Sequence, residues 1–243
     1  MKQGIFTIID NKKLTESVYK MTLRGDTAEI TKPGQFVNIK LDGLFLRRPI
    51  SVCDCEGDTL TVLYKVVGVG TEKMASLHSG DSLDILTGLG NGYDTSLSGV
   101  SPLLIGGGVG VPPMYMLAKS LINESKKVSV ILGFNDKSEV FYEEEFKALG
   151  ASVTVTTVNG TYGKRGFVTD AMAELEYTHF YTCGPEAMFR AIEKVAKTSG
   201  QFSFEERMGC GFGACMGCTC ETKYGAKRIC RDGPVLMREE IVW

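Results

Sequence analysis

Four cysteines near the C-terminal end carry the strongest chemical signal in this chain of 243 residues. Cys210, Cys215, Cys218 and Cys230 stand as C-x4-C-x2-C-x11-C. A C-x4-C-x2-C run followed by a distant fourth cysteine is the plant-type spacing for a [2Fe–2S] cluster. The intervening Gly211-Phe-Gly-Ala-Cys-Met-Gly-Cys218 is built of small residues, so backbone can wrap a compact cluster and aim N–H groups at its sulfurs. The competing use is a four-cysteine zinc site, which usually has C-x2-C pairs on both sides. Cys220 matches no ligand position and reads as a packing residue or a thiol near the cluster. Cys53, Cys55 and Cys183 read as small buried side chains.

Two further constellations suit nucleotides. Gly106-Gly107-Gly108-Val-Gly110 follows an apolar strand and precedes a helix, so backbone can approach a pyrophosphate at free helix N–H groups. Pro113 replaces the last glycine of G-x-G-x-x-G, and a tight structural turn is the alternative reading. Cys183-Gly184-Pro185 makes a second strand-to-helix turn, and two such turns at the carboxyl ends of parallel strands define one crevice. Asp136 follows the second strand of that sheet. It can hydrogen-bond ribose hydroxyls and repel a 2′-phosphate, favouring NAD over NADP, or it can simply cap the next helix; Lys137 beside it weakens the electrostatic case. Earlier in the chain, Arg48-Pro49-Ile50-Ser51 offers a cation for a phosphate and a hydroxyl for a flavin ring nitrogen. Gly70-Thr71 offers a second phosphate site at a helix start, which favours FAD over FMN.

These residues need a scaffold, and the chain supplies two rhythms. Residues 1–98 read as short β-branched strands with turns between them, clearest at Phe36–Leu41, Pro49–Cys53 and Thr59–Val66, which suggests an antiparallel barrel. One short helix is expected from Thr71, as N-cap, to His78. Residues 99–200 alternate strand and helix: strands at Leu103–Gly106, Val128–Leu132, Ser152–Val158 and His179–Cys183, helices near Pro112–Leu121 and Val168–Leu175, and one opened by Pro185. Asp136-Lys-Ser-Glu139 has capping-box spacing for a helix reaching Gly150. That rhythm means a parallel sheet. Gln201–Glu206 could add a strand, and residues 201–243 form a third, cysteine-bearing unit. The fold class is therefore multidomain, α+β and α/β.

Composition narrows the function classes. A net charge of −2, from 27 Lys+Arg against 29 Asp+Glu, gives no general attraction to nucleic acid or anionic membranes. Only 2 histidines argue against imidazole-centred catalysis. The 24 uncharged residues Thr95–Ala118 contain five glycines and three prolines, so they read as strand, turn and helix start rather than a membrane span. With no signal-peptide pattern at the N-terminus, a cytoplasmic protein with reduced thiols is expected.

Taken together, Arg48-Pro-Ile-Ser51, Gly70-Thr71, Gly106-Gly-Gly-Val-Gly110 and Cys183-Gly-Pro185 resemble the ferredoxin reductase superfamily, in which a flavin-binding barrel precedes an NAD(P)-binding domain. Glu206-Arg-Met-Gly-Cys-Gly-Phe-Gly-Ala-Cys-Met-Gly-Cys218 and Cys230-Arg-Asp-Gly-Pro-Val235 narrow this. They resemble the electron-transfer subunits of type B, NAD-linked dihydroorotate dehydrogenases. The resemblance implies FAD in the barrel, with Lys65-Val66-Val67 among its contacts, one [2Fe–2S] cluster, and NAD as acceptor. It also implies an FMN-containing catalytic partner in a heterotetramer of two plus two. An NAD(P)H-dependent reductase subunit serving an oxygenase, ferredoxin or sulfur-reducing system is the alternative. One departure is Leu89 in Gly88-Leu-Gly-Asn-Gly92, where proline is expected.

Overall fold

The computed structural model describes every residue from Met1 to Trp243. The first unit contains β1 (Lys2–Lys13), β2 (Val18–Arg24), β3 (Phe36–Ile39), β4 (Arg48–Glu56), β5 (Thr59–Lys65), α1 (Val69–Ala75) and β6 (Ser82–Leu89). The strands close into an antiparallel barrel in the order β1-β2-β5-β4-β3-β6, with β6 paired back onto β1. Alternate residues point inward: Phe6 and Ile8, Met21 and Leu23, Val37 and Ile39 fill the barrel interior. β1 and β2 are not evident in the sequence. In β1 two isoleucines, Ile5 and Ile9, face outward beside the inward Phe6 and Ile8, and a register shift between Ile8 and Asp10 further blurs the alternation.

Helix α1 starts earlier than the sequence suggests, with Gly68 rather than Thr71 at its N-cap. The Thr71 hydroxyl reaches back instead, accepting from the Val67 N–H at 2.9 Å and the Gly68 N–H at 3.3 Å. Thr71 therefore closes the turn from inside the helix.

The second unit follows with β7 (Leu103–Gly107), α2 (Pro112–Asn123), β8 (Ser129–Phe134), α3 (Glu143–Ala148), β9 (Ser152–Thr157), β10 (Lys164–Arg165), α4 (Val168–Met172), β11 (Phe180–Cys183), α5 (Glu186–Val195) and β12 (Gly200–Ser203). A hairpin, β13 (Thr219–Thr222) and β14 (Gly225–Arg228), and a last strand, β15 (Val235–Met237), complete the chain. The large sheet has the order β10-β9-β8-β7-β11-β12-β15, parallel throughout except for β15. The cysteine-bearing segment thus leaves this sheet after β12 and returns to its edge as β15. No helix is long and apolar enough to cross a membrane.

The continuous helix expected from Asp136 to Gly150 is broken in two. A single 3-10 turn, Lys137–Glu139, is followed by extended Val140 and by Tyr142 in the left-handed region at φ 68°. Packing explains the break. Phe141 and Tyr142 are both driven into the core, where Phe141 meets Phe134 at 5.3 Å between ring centroids and Tyr142 meets Tyr115 at 5.3 Å. Tertiary burial of two aromatic rings outweighs the local helix preference.

The units share cores rather than merely touching. Val18, Cys53 and Leu63 from the barrel pack among Leu104, Met114, Leu117 and Phe146 of the second unit. Phe36, Leu86 and Leu89 from the barrel pack in one cluster with Ile105 and Phe202 of the sheet and with Cys218, Ile229 and Cys230 of the cysteine segment. Leu89, 3% exposed, is there a core residue, so its apolar bulk serves where proline was expected.

Candidate functional site

The cysteine loop is shaped by glycines. Gly211 and Gly213 take φ of +79° and +91°, values that side chains disfavour, and the Met216 backbone is also left-handed. These turns gather the thiols in two pairs: Cys210 with Cys215, and Cys218 with Cys230. No three His, Cys, Asp or Glu side chains converge as they would around a single ion. Backbone N–H groups already face sulfur: those of Phe212 and Cys215 point to Cys210 Sγ at 3.5 and 3.4 Å, and that of Cys230 to Cys218 Sγ at 3.4 Å.

The environments of the two pairs differ. Cys218 and Cys230 are each 2% exposed, whereas Cys215 faces solvent. Burial pushes the Cys230 thiol up to about 12, reinforced by Cys218 beside it. At Cys210 burial also acts upward, but the N–H groups of Cys215, Phe212 and Ala214 and the Cys215 thiol outweigh it, leaving the thiol at about 6. Arg228 is a brace not singled out from the sequence. Its guanidinium donates to the Gly213 carbonyl at 2.8 Å and pairs with Asp232 at 3.3 Å, locking the loop to the segment holding Cys230. Alternating charges around the last cysteine, Arg228 and Asp232, were the only available hint. Cys220 lies on β13, half-buried, and burial pushes its thiol up.

At the carboxyl ends of β7 and β11 the two glycine turns meet. A Cβ on Gly110 would lie 2.1 Å from the Cys183 carbonyl oxygen and 2.6 Å from the Gly184 nitrogen. One on Gly106 would lie 2.7 Å from Val111 Cα, and one on Gly107 would lie 2.7 Å from Met188 Sδ. At Gly106 and Gly110 the obstacle is backbone, so packing by itself demands glycine there; at Gly107 it is the flexible end of Met188. Gly108 differs: at φ +53° it has nothing within 4 Å of a Cβ and faces open space. Pro185 occupies the N-cap position of α5, and burial pushes the Cys183 thiol up to about 12. A groove of about 290 Å³ runs from Gly184, Pro185 and Glu186 to Glu206, Cys220 and Ile229 of the cysteine segment. Asp136 lies beyond the end of β8, half-buried. Its Oδ1 accepts from the Ser138 N–H at 2.7 Å and the Ser138 hydroxyl at 2.6 Å, bonds that hold the carboxyl below its usual range. The capping role is therefore present in the fold, with Oδ2 left over.

On the barrel, Arg48 and Gly70 come together although 21 residues separate them in sequence. A Cβ on Gly70 would lie 2.1 Å from Arg48 Nε, so the guanidinium lies across the glycine at the start of α1. Its hydrogen bonds go to backbone alone, the carbonyls of Leu46 at 2.5 Å and Arg47 at 3.4 Å, and none to a carboxylate. Pro49, Ile50 and Ser51 continue β4, half-buried, and the Ser51 hydroxyl makes no bond within the chain. Lys65 ends β5; Val66 and Val67 follow it into the turn before α1, where Val67 is 78% exposed. Phe45, fully exposed, stands on the loop before Arg48. A lone cation, a free hydroxyl and exposed apolar side chains suit a large, flat, phosphate-bearing group.

Comparison with known proteins bears on what these surfaces hold. A family model described as the iron-sulfur cluster binding domain of dihydroorotate dehydrogenase B matches residues 205–242, and one described as an oxidoreductase NAD-binding domain matches residues 104–194. The dihydroorotate dehydrogenase B (NAD(+)) electron transfer subunit of Bacillus pumilus (strain SAFR-032) is 42% identical over 255 residues, covering 99% of this chain and 98% of that protein. This chain belongs to the dihydroorotate dehydrogenase B electron transfer subunit family. The subunit of the same description from Fusobacterium nucleatum subsp. nucleatum is also 42% identical, over 99% of both chains. Among solved structures, an NADH-dependent reduced ferredoxin-NADP oxidoreductase superposes with TM-score 0.87 at 28% identity, covering 98% of this chain and 90% of that one. As a member of the dihydroorotate dehydrogenase B family, the chain is an oxidoreductase subunit of pyrimidine biosynthesis. It carries electrons with FAD, a [2Fe–2S] cluster and NAD as its cofactors, and a catalytic subunit as its partner.

Proposed function

We propose the following assignment of those cofactors to residues. Cys210, Cys215, Cys218 and Cys230 would ligate the [2Fe–2S] cluster. The donor set fits: four thiols, with backbone N–H groups already turned toward two of the sulfurs. FAD is held on the barrel by Arg48 at a phosphate, by Pro49, Ile50 and Ser51 along β4, by Lys65-Val66-Val67, and by Gly70 and Thr71 at the start of α1. NAD is held by Gly106, Gly107, Gly108 and Gly110, by Cys183, Gly184 and Pro185, and by Asp136. The division of labour follows residues 1–98, 99–200 and 201–243.

When bound, a flavin would supply both hydride exchange with nicotinamide and single-electron exchange with the cluster, which is what a path from the partner's FMN through cluster and FAD to NAD+ would require. The chain's own residues supply position. The core shared by Phe36, Ile105, Phe202, Cys218 and Cys230 fixes the cluster loop against both the flavin barrel and the nucleotide sheet, and this observation carries the reading. Arg48 binds and orients by charge, Ser51 by its unused hydroxyl, and Gly108 by leaving open space for a phosphate.

The assembly reads as a cytoplasmic heterotetramer, two copies of this chain with two FMN-containing catalytic subunits. Coexpression of both chains, mass determination of the complex, flavin analysis after acid release and a dihydroorotate:NAD+ assay test the proposal together. Release of FMN alone, or full activity of this chain without the partner, would contradict it.

A further inference from the structure

Asn38 sits where the flavin strands meet the cluster loop. Across β3 and β4 it lies opposite Pro49, and Phe36 lies opposite Ser51. Directly opposed residues in an antiparallel pair share a face, and Val37 and Ile39 point into the barrel. Asn38, Phe36, Pro49 and Ser51 therefore occupy the outer face together. Phe36 belongs to the core cluster that also holds Cys218 and Cys230, and Asn38 Nδ2 donates to the Cys210 backbone carbonyl at 3.2 Å. A Cβ on Gly211 would come within 2.4 Å of the same Nδ2, so the cluster loop rests directly on the carboxamide.

Several features hold that carboxamide in place. A register shift in the β3–β6 ladder falls between Phe36 and Asn38, a bulge of the kind that re-aims a side chain. Arg47, paired with Asp84 at 3.0 Å, donates to the Asn38 backbone carbonyl at 3.3 Å and so fixes the strand that carries the side chain. Asn38 is 1% exposed, yet its Oδ1 has no hydrogen-bond partner. Turning the amide over would set that oxygen against the Cys210 carbonyl, acceptor against acceptor, so the unpartnered atom is an acceptor waiting for a donor. Buried acceptors are rarely left unmatched.

We propose that Asn38 is a positioning residue with two partners: Nδ2 holds the backbone of the cluster ligand Cys210, and Oδ1 accepts a hydrogen bond from the ring N–H of the flavin. This rests on the reading of Ser51 and its strand face as the flavin's seat. A single side chain then sets the placement of the cluster ligand relative to the flavin.

Two substitutions separate the two bonds, in the full chain with its partner subunit. Asn38→Asp keeps an acceptor oxygen and removes the N–H toward Cys210; Asn38→Leu removes both. FAD is titrated into the deflavinated protein by fluorescence, and the reduced cluster is examined by electron paramagnetic resonance. Asn38→Leu should bind FAD about fivefold more weakly, the factor of one ordinary hydrogen bond, and should shift the cluster g-values. Asn38→Asp should shift the g-values with FAD affinity unchanged. Wild-type FAD affinity in Asn38→Leu, or wild-type g-values in both variants, would overturn the proposal. Should the leucine variant fail to fold, unchanged g-values in Asn38→Asp suffice to overturn it. A wild-type protein without flavin would instead sink the underlying reading and this inference with it.

Discussion

Gly110 lies against Cys183 so closely that a Cβ on the glycine would stand 2.1 Å from the cysteine's carbonyl oxygen. This contact joins the β7 and β11 turns into one crevice, and the obstacle is backbone, which cannot swing aside. Gly110→Ala should therefore cost about 1–3 kcal/mol through overpacking. At roughly 2–4 °C per kcal/mol for a chain of this size, thermal unfolding should fall by roughly 2–12 °C, with weaker NADH binding. Leu89→Ala, which empties a buried site on the barrel, should lower the unfolding temperature without a comparable loss of NADH affinity. Wild-type thermal behaviour in Gly110→Ala would contradict the contact.

Cys215→Ser removes a ligand thiolate, and the cluster should be absent or unstable. NADH oxidation by an artificial two-electron dye should continue, because hydride still reaches the flavin. Dihydroorotate-to-NAD+ transfer in the reconstituted complex should collapse. Cys220→Ser should leave both activities largely intact. A Cys215 variant that assembles, lacks the cluster and still reduces NAD+ with dihydroorotate at normal rates would disprove the path.

Arg48 makes no hydrogen bond to a carboxylate and crosses Gly70, so its charge is free for a phosphate. Arg48→Ala should weaken FAD binding by about 1.5–3 kcal/mol, roughly 10- to 150-fold. Gly70→Ala should weaken it as well, because the new Cβ displaces the guanidinium. Equilibrium titration with FAD reads both, and undiminished affinity in Arg48→Ala would remove the residue from the flavin site.

Asp136 divides its carboxylate between Ser138 and solvent. NADH should be used in preference to NADPH, and Asp136→Ala should narrow that preference while slightly lowering the unfolding temperature through loss of the cap. Comparable catalytic efficiency of the wild type with both nucleotides would leave Asp136 as a cap only.

His179 is 3% exposed, and Gln201 Nε2 lies 3.2 Å from its Nε2. Burial lowers its pKa below the ordinary 6.5, against weaker opposing effects of Glu239 and Asp94. In the window between the two values the unfolded chain binds the proton and the folded chain does not. Stability is thus fully present above the unfolded value and is lost as pH falls toward the folded one. Protonation also replaces the ring acceptor facing Gln201 by a donor, forfeiting about 0.5–1.5 kcal/mol. Unfolding temperatures from pH 7.5 down to 5 should fall less steeply in His179→Gln than in the wild type.

The sequence by itself determined the chemistry that depends on local spacing. C-x4-C-x2-C-x11-C specifies a cluster because ligand separation along the chain limits what the sulfurs can surround. The β-rich and β-α halves were legible as classes, because β-branched runs between turns and alternating strand and helix are local patterns, although β1 and β2 were not read individually. Only the tertiary structure decided what depends on distant partners. The break before α3 exists because Phe141 and Tyr142 find a core that no nearby residue announces. The roles of Gly106 and Gly110 divide from that of Gly108 only once the β11 turn lies against them. Arg48 meets Gly70, Arg228 braces Gly213, and Asn38 reaches Cys210 across 172 positions of sequence. Those meetings are created by barrel closure and by the chain's return as β15, and burial across such separations leaves no periodic trace in the residues themselves.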